Sequence, residues 1–308
     1  MTDIDILLPA LRKREPRAIA RAISLVEDGS EHSDAILSSL DEAQVAEAVV
    51  LGITGPPGAG KSTLTNQLIT AYRSRGRRIG IIAVDPSSPI SGGALLGDRI
   101  RMMQHAVDPD VIVRSMATRG RLGGLCAAAG AVVRILAGTG CSPIIIETVG
   151  VGQSEMDIIR LADITALVLA PGLGDDIQAM KAGLLEVADI LVVNKADNPG
   201  AETLAMDLES AGRQRDRQAA VCLTVAPQGI GIDALLERIS ATDTAHRQSG
   251  ERTRRRREAY RLEVLDWCVE LLRPELMEKI ITSDFKQQGD PRVRAKKILA
   301  DMHPGKNS

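Results

Sequence analysis

A glycine-rich segment that ends in a lysine and a serine stands at 55–62 and reads GPPGAGKS. Its glycines would let the chain turn so that successive N–H groups face phosphate oxygens, with Lys61 reaching the outer phosphates and the Ser62 hydroxyl bound to Mg²⁺. An apolar run at 48–54 precedes it and a helical stretch follows, so the positive end of a helix would face the phosphates as well. The segment predicts a nucleoside triphosphate site formed by Gly55, Pro56, Pro57, Gly58, Ala59, Gly60, Lys61, Ser62 and Thr63.

Two later segments could recognise the base of that nucleotide. NKAD at 194–197 follows the apolar run ILVV, and the Asp197 carboxylate could accept hydrogen bonds from both N1–H and the exocyclic amine of guanine. Adenine offers neither donor in that arrangement, so a buried unpaired carboxylate would disfavour ATP. TVAPQG at 224–229 follows the last apolar run, where GTPases place a loop whose backbone N–H groups contact guanine O6, although Val225 stands where serine is usual. The predicted base-binding residues are Asn194, Lys195, Asp197, Val225, Ala226 and Pro227.

Three carboxylates could complete a Mg²⁺ site around Ser62. Asp85 follows the apolar run at 79–84, Asp98 lies in LGDR at 96–99, and Glu147 ends the run PIIIE. Carboxylates suit contacts to Mg²⁺ through water or the orientation of an attacking water. We predict Ser62, Asp85, Asp98 and Glu147 as the metal site and Lys61, Asp98 and Glu147 as catalytic. Asp85 or Asp98 could instead be a helix N-cap. No glutamine is placed as in the Ras family, so the group that activates water stays open.

A third set of residues could respond to the γ-phosphate. Gly150 in ETVGVGQSE could offer it a backbone N–H. The segment 171–181, PGLGDDIQAMK, places two glycines and two carboxylates after a strand. It predicts either a mobile loop beside the nucleotide or a plain strand-to-helix turn. The predicted switch residues are Gly150, Asp175, Asp176, Gln178 and Lys181.

The elements that must position these residues fall into three zones, at 1–46, 47–241 and 242–308. The first reads as helices, with Ile19, Ile23 and Val26 at helical spacing. In the second, short β-branched runs alternate with helical stretches, which predicts an α/β fold: a P-loop NTPase with a mainly parallel central sheet flanked by helices. The third zone is helical and carries two apolar stripes. One stripe could pack on its own core and the other on a second subunit, or the helix could lie deep against the main domain.

Composition narrows the possible partners. Net charge is −2, and one Trp, two Tyr and one Phe are too few for an aromatic platform for single-stranded nucleic acid. The run RTRRRR at 252–257 is by itself typical of a solvated helix face, so we predict no nucleic-acid partner.

Four widely spaced cysteines (Cys126, Cys141, Cys222 and Cys268) fit a reducing compartment and argue against a metal-storage site. We expect a cytoplasmic protein, since no apolar run is long enough to span a membrane.

The motifs together resemble one family. GPPGAGKST, VDPSSPISGGALLGDRIRM, TRGRLGGL, ETVGVGQSE, PGLGDDIQAMKAG and VVNKAD stand in the order found in the methylmalonyl-CoA mutase-associated GTPases, the MeaB/ArgK group of SIMIBI-class GTPases. The resemblance covers about residues 10–280. It implies a homodimeric GTPase that uses Mg²⁺ and acts as chaperone of an adenosylcobalamin-dependent acyl-CoA mutase, gating cofactor loading and protecting or reactivating the mutase.

The resemblance leaves some alternatives open. The partner could be methylmalonyl-CoA mutase or a sibling enzyme that acts on isobutyryl- or 2-hydroxyisobutyryl-CoA. A metallochaperone GTPase of the same class would need Cys or His ligands, and no cysteine here has another within ten residues. A small-molecule kinase would need a substrate pocket, which no motif marks. The divergent C-terminal arm leaves the geometry of the dimer open.

Replacing Asp197 by asparagine should shift nucleotide preference from GTP toward XTP, because the amide can donate to the additional oxygen of xanthine. Competition binding with GTP and XTP measures the shift. Unchanged affinity for GTP in the variant would contradict the assignment of Asp197 to guanine.

Overall fold

The computed structural model describes residues 3–85, 108–117, 128–148, 160–173, 184–213, 219–282 and 290–302. The strands among them are β1 (Val50–Thr54), β2 (Ile79–Asp85), β3 (Val111–Ala117), β4 (Ile144–Thr148), β5 (Ile164–Leu169), β6 (Ile190–Asn194) and β7 (Ala220–Thr224). The helices are α1 (Asp3–Arg12), α2 (Pro16–Glu27), α3 (Ser33–Ser38), α4 (Glu42–Glu47), α5 (Lys61–Arg73), α6 (Ala128–Gly138), α7 (Leu184–Val187), α8 (Ala201–Arg213), α9 (Ile232–Ser249), α10 (Glu251–Thr282) and α11 (Pro291–Met302), with a 3-10 turn at Ala226–Gln228.

The seven described strands form one parallel sheet in the order β3-β2-β4-β1-β5-β6-β7. Every residue of β1, β4, β5 and β6 is buried, as expected for strands covered by helices on both faces. This confirms the predicted α/β class. Because parallel strands end at the same edge, the chain segments that follow β1, β4 and β6 converge there.

Helix α2 belongs to the same hydrophobic core as the sheet. It begins at Pro16, whose fixed φ suits a first helical turn, and Gly29 follows its end at φ 67°. Ile19, Ile23 and Val26 are buried together with Ile144 and Ile146 of β4 and Ile135 of α6. The predicted helical spacing of the three α2 residues is confirmed.

The opposite face of the sheet is covered by α5 and α9. Leu64 and Leu68 of α5 pack in one cluster with Leu235 and Ile239 of α9 and with Ile145 of β4. Helix α5 is therefore fixed along its length against the sheet, from the glycine-rich segment to the opposite edge.

The chain divides into two compact units, residues 1–259 and 260–308, and the boundary falls inside α10. The second unit contains the rest of α10 and helix α11. Both predicted stripes of α10 have exposed members, Tyr260 and Leu271 in one and Leu265 and Val269 in the other. The three-zone division at 46/47 and 241/242 stays a prediction. No helix in the described ranges combines the length and apolar character needed to cross a bilayer.

The first turns of α10 correct one expectation from the sequence. Arg252, Arg255 and Arg256 do not form a solvated helix face: they point to the edge of the sheet where β5 and β6 begin. Arg254 and Arg257 are exposed, as predicted. Because the run is helical, three of its arginines face the sheet and two face solvent.

Two buried aspartates explain this arrangement. Asp163 precedes β5 and Asp189 precedes β6, and each side chain is only 2% exposed. Arg255 forms a two-pronged pair with Asp189 through two 2.8 Å bonds, and Arg256 forms another with Asp163 through two 2.7 Å bonds. Buried carboxylates are tolerated only when they are paired and hydrogen-bonded, so the arginines and aspartates depend on each other. We call these residues the arginine clamp: Arg252, Arg255, Arg256, Asp163 and Asp189.

The Arg255→Ala variant should lower the free energy of unfolding by about 3 kcal/mol, because the buried Asp189 carboxylate loses its guanidinium. Arg254→Ala is the matched control. Its side chain is 63% exposed and pairs, among the described residues, with Glu251 and Glu258, so the loss of stability should be much smaller than for Arg255→Ala. Urea denaturation of both variants measures the difference, and equal losses would show that the clamp contributes nothing specific.

Candidate nucleotide-binding site

The glycine-rich segment forms a tight loop between β1 and α5. Gly55 has φ 143°, and a Cβ on it would lie 2.0 Å from the carbonyl oxygen of Val168 in β5. Gly60 is the N-cap of α5 at φ 89°, and a Cβ there would lie 2.4 Å from Asn194 Nδ2. Any other side chain at either position would push the loop away from the neighbouring strands. The glycines therefore let the loop lie directly on β5 and β6.

Lys61 lies inside this loop and is 6% exposed. Its ammonium group donates to the carbonyl oxygens of Gly55 at 2.8 Å and Pro56 at 3.0 Å. These bonds compensate in part for the loss of hydration on burial. The positive charge is therefore held at the N-terminus of α5, where the helix dipole already favours an anion.

Ser62, in the first turn of α5, meets Glu147, near the end of β4. The Ser62 hydroxyl donates to Glu147 Oε1 at 2.6 Å, although the residues are 85 positions apart. Glu147 is 6% exposed and lies opposite Ile53 in the pairing of β1 with β4. Beside them, the Thr148 hydroxyl donates to Thr54 Oγ1 at 3.3 Å.

The chemistry of this pair suits Mg²⁺. The metal prefers hard oxygen ligands and in nucleotide sites uses one or two protein oxygens together with phosphates and water. Within the described ranges, no group of three or more His, Cys, Asp or Glu side chains could hold a metal on its own. A hydroxyl and a carboxylate at the start of a phosphate-binding helix are the donors that such a shared site needs.

Asn194 joins three segments of the site. Its Nδ2 donates to the Ala59 carbonyl oxygen at 2.9 Å, and its Oδ1 accepts from the Thr224 hydroxyl and the Ala226 N–H, each at 3.1 Å. Asn194 is 1% exposed. The end of β6 is thereby fixed both to the phosphate-binding loop and to the loop after β7.

The turn after Asn194 carries the other predicted base-binding residues. Lys195 adopts φ 56°, a conformation that few non-glycine residues take, and Asp197 follows at the exposed surface. The Ala196 N–H donates to the Thr224 carbonyl oxygen at 3.0 Å. Asp197 thus extends from a backbone that is held on both sides.

The loop at 225–227 has few free backbone donors. The Val225 N–H donates to the Ile230 carbonyl oxygen at 3.0 Å, the Ala226 N–H donates to Asn194, and Pro227 has no N–H. In this conformation a contact from the loop to guanine O6 would have to share the Ala226 N–H with Asn194. The assignment of these three residues to the base stays a prediction.

Comparison with known proteins agrees with this geometry. Residues 19–284 match the family model described as methylmalonyl Co-A mutase-associated GTPase MeaB. The chain belongs to the MeaB family. It is a P-loop GTPase, and several of its relatives are named as GTPases.

A putative GTPase of Pyrococcus horikoshii is 48% identical over 264 residues, which cover 83% of each chain. The GTPase ArgK of Escherichia coli is 34% identical over 301 residues, 94% of this chain and 88% of that one. Among solved structures, the crystal structure of an LAO/AO transport system kinase has a TM-score of 0.67 at 26% identity and covers 99% of this chain and 94% of its own.

The described part of this MeaB-family GTPase brings together Lys61, Ser62, Glu147 and Asn194. Asp85 ends β2 at the same edge of the sheet, and its side chain lies outside the described residues. Also outside them lie Asp98, Gly150, Asp175, Asp176, Gln178 and Lys181. Sequence reasoning missed the bridging role of Asn194 and the part of Thr224 in it. Their pairing across β6 and β7 is visible only once the strand order is known.

The Asn194→Ala variant should weaken GDP binding about tenfold or more, because the Ala59 carbonyl and the Ala226 N–H lose their partner and both loops are released. It should also lower the free energy of unfolding by about 2–4 kcal/mol. Asn198→Ala is the matched control, since Asn198 is exposed in the same loop and contributes its backbone N–H to Lys195. Titration calorimetry with GDP measures the affinities. Equal affinities in the two variants would contradict the bridging role.

Proposed function

We propose that this MeaB-family GTPase binds GTP with Mg²⁺ at residues 55–63, 147 and 194–197, and uses hydrolysis to chaperone an adenosylcobalamin-dependent acyl-CoA mutase. The observation that carries the nucleotide part is the hydrogen bond between Ser62 and the buried Glu147 beside the phosphate-binding loop. The mutase part rests on the family description, which names an association with methylmalonyl-CoA mutase.

At the phosphate end, Lys61 would exchange the carbonyl oxygens of Gly55 and Pro56 for β- and γ-phosphate oxygens. The N–H groups of the loop and the first turn of α5 would hold the remaining phosphate charge. Ser62 and Glu147, with Asp85 and Asp98, would hold Mg²⁺. Bound there, the metal would neutralise the charge on the phosphate oxygens during transfer of the γ-phosphoryl group.

At the base end, Asp197 would accept from guanine N1–H and the exocyclic amine. Asn194 would act indirectly, as a positioning residue: its side chain fixes Ala59 on the phosphate side and Ala226 on the base side. The buried side-chain amide of Asn194 therefore sets the distance between the phosphate and base subsites. This favours a ligand whose phosphates and base are separated by that distance.

Hydrolysis should depend on Asp98 and Glu147 and should be slow without the partner. The sequence has no glutamine placed as in the Ras family, and GTPases with an incomplete set of catalytic groups gain about 10³–10⁵-fold when a partner supplies or positions the missing one. Gly150 and the segment 171–181 would couple that partner to the nucleotide. Pro171 and Gly172 form a turn after β5, the strand that pairs with β1, and Gly172 adopts φ 88°.

The exposed apolar residues of α10 support a homodimer as part of this proposal. Tyr260, Leu265 and Leu271 each expose more than half of their surface. A helix with apolar residues on two faces needs cover on both. A second copy of this arm would provide it.

A kinase is the second candidate, because the related crystal structure bears that name. Hydrolysis releases inorganic phosphate and GDP in equal amounts, whereas a kinase transfers the phosphoryl group to an acceptor.

Lys61→Ala should abolish tight GTP binding with the fold intact, and Glu147→Ala should bind nucleotide and lose Mg²⁺-dependent phosphate release. Full activity in the Glu147→Ala variant would show that this carboxylate is misassigned.

The Ala variants of Asp176, Gln178 and Lys181 should keep basal hydrolysis and GTP affinity and lose most of the stimulation by the mutase. A steady-state GTPase assay with and without methylmalonyl-CoA mutase measures this. Glu202→Ala, an exposed position in α8, is the control and should be stimulated fully. If all three variants respond as the wild type does, the segment is only a strand-to-helix turn. If the wild type gains no activity, the mutase tested is not its partner.

A further inference from the structure

A cavity of about 690 Å³ opens at the edge of the sheet opposite the phosphate-binding loop. Its walls come from the residues just before β1 and β4, from the end of α5 and from α9, and its apolar part includes Val49, Pro143, Leu236 and Ile239. Sites for small molecules usually measure about 300–1,000 Å³. The cavity is therefore large enough for a small metabolite.

This cavity is separate from the nucleotide site. Helix α5 begins at Lys61 in the phosphate-binding loop, and Tyr72 near its other end lines the cavity. A helix of 13 residues is about 20 Å long. A ligand in the cavity would not touch a nucleotide held at 55–63.

Two guanidinium groups at the cavity are available to a ligand. Arg14 and Arg77 line it, and neither side chain has an ion pair or hydrogen bond to any group in the described structure. Guanidinium groups bind phosphate oxygens through paired N–H donors. Two of them match the charge of a dianion.

The other charged groups around the cavity balance one another. Arg75 pairs with Asp233 at 3.0 Å. Arg247 pairs with Glu47 at 2.7 Å and with Asp243 at 2.8 Å. The two carboxylates that line the cavity are thus held by Arg247. The charge of Arg14 and Arg77 is left for a ligand.

Arg14 takes its position in an unfavourable backbone conformation. Its φ is 61°, and only Lys195 of the nucleotide site shares a positive φ among the described non-glycine residues. It follows α1 in a helix-ending turn, with its N–H donating to Leu11 and its carbonyl accepting from Arg78. Glycine would be the unstrained residue here. An arginine in this place costs stability and brings a cation to the cavity, a pattern typical of functional positions.

Next to Arg14, Gly140 leaves room for its guanidinium. A Cβ on Gly140 would lie 2.8 Å from Arg14 Nη1 and 3.3 Å from Gln44 Oε1. Gln44 Nε2 donates to Asp41 at 2.9 Å, while Oε1 is buried without a hydrogen-bond partner among the described groups. A buried acceptor without a donor is costly, so a ligand that carries a hydroxyl group would satisfy it.

Tyr72, near the end of α5, adds a neutral donor to the lining of the cavity. Burial raises the pKa of its phenol to about 12, so the hydroxyl keeps its proton at neutral pH. The hydroxyl has no hydrogen-bond partner within the described part of the chain. It can donate to a ligand oxygen without a change in charge.

We propose that this cavity binds a small phosphate monoester that carries a hydroxyl group. Arg14 and Arg77 bind the phosphate, Tyr72 donates to it, and Gln44 Oε1 accepts from the hydroxyl. The site lies in the first compact unit and does not depend on the nucleotide assignments or on the mutase.

The test is titration calorimetry of the full chain with sn-glycerol 3-phosphate, in excess GDP and Mg²⁺ so that the nucleotide site is filled. We expect saturable binding at one site, weakened by salt. Arg14→Gly and Arg77→Ala should each weaken it about tenfold or more. Arg14→Gly should also keep or raise the melting temperature, because glycine adopts φ 61° without strain. Arg17→Ala, an exposed arginine on α2 away from the cavity, should bind as the wild type does.

Glycerate and glycerol are the comparison ligands. Both should bind at least tenfold more weakly than glycerol 3-phosphate. No saturable binding of glycerol 3-phosphate by the wild type, or wild-type affinity in both arginine variants, would overturn the site. Equal affinity for glycerate would overturn the choice of a phosphate monoester.

Discussion

The side-chain amide of Asn194 donates to Ala59 in the phosphate-binding loop and accepts from Thr224 and Ala226 in the loop after β7. Three segments that are distant in the chain meet at this one residue, which has almost no exposure to solvent. The contact is possible because Gly60 has no side chain where Asn194 approaches it. If either partner were larger, the loop would rise from the sheet, and Lys61 and Ser62 would move with it. For this reason, a shift of the phosphate-binding loop would also move the base-binding loop after β7.

Polar and charged side chains are arranged differently at the carboxyl and amino ends of the parallel strands. At the carboxyl edge, backbone groups and a few buried polar side chains (Lys61, Glu147 and Asn194) converge around the phosphate-binding loop. At the amino edge, the arginine clamp holds α10 to the starts of β5 and β6. The same aspartates also accept from backbone N–H groups, Asp163 from Val50 and Asp189 from Thr165, each at 2.9 Å. The clamp therefore orders three central strands, and strand β1 leads directly into the phosphate-binding loop.

Buried charge is used in different ways at the two edges. In the clamp each charge has its opposite within hydrogen-bond distance, and burial lowers the pKa of Arg252 although Asp163 and Asp243 attract its charge. At the nucleotide site, the buried Lys61 ammonium group donates to the carbonyl oxygens of Gly55 and Pro56. A phosphate bound at the loop would face this charge at the start of α5.

The amino-acid sequence by itself determined the α/β class, the glycine-rich loop between β1 and α5, and the position of NKAD after β6. These features depend on near neighbours: strand and helix periodicity, and the conformations that only glycine adopts. The tertiary structure decided which polar groups meet. The sequence predicts Ser62 and Glu147 in one metal site, and the direct hydrogen bond between them follows from the pairing of β1 with β4, which the order of strands along the chain does not reveal. The basic run at 252–257 by itself indicates a solvated helix face, because its partners Asp163 and Asp189 lie 66–93 residues away in the chain. A local pattern specifies an element, whereas the partner of a buried charge is fixed only when the strands are placed side by side.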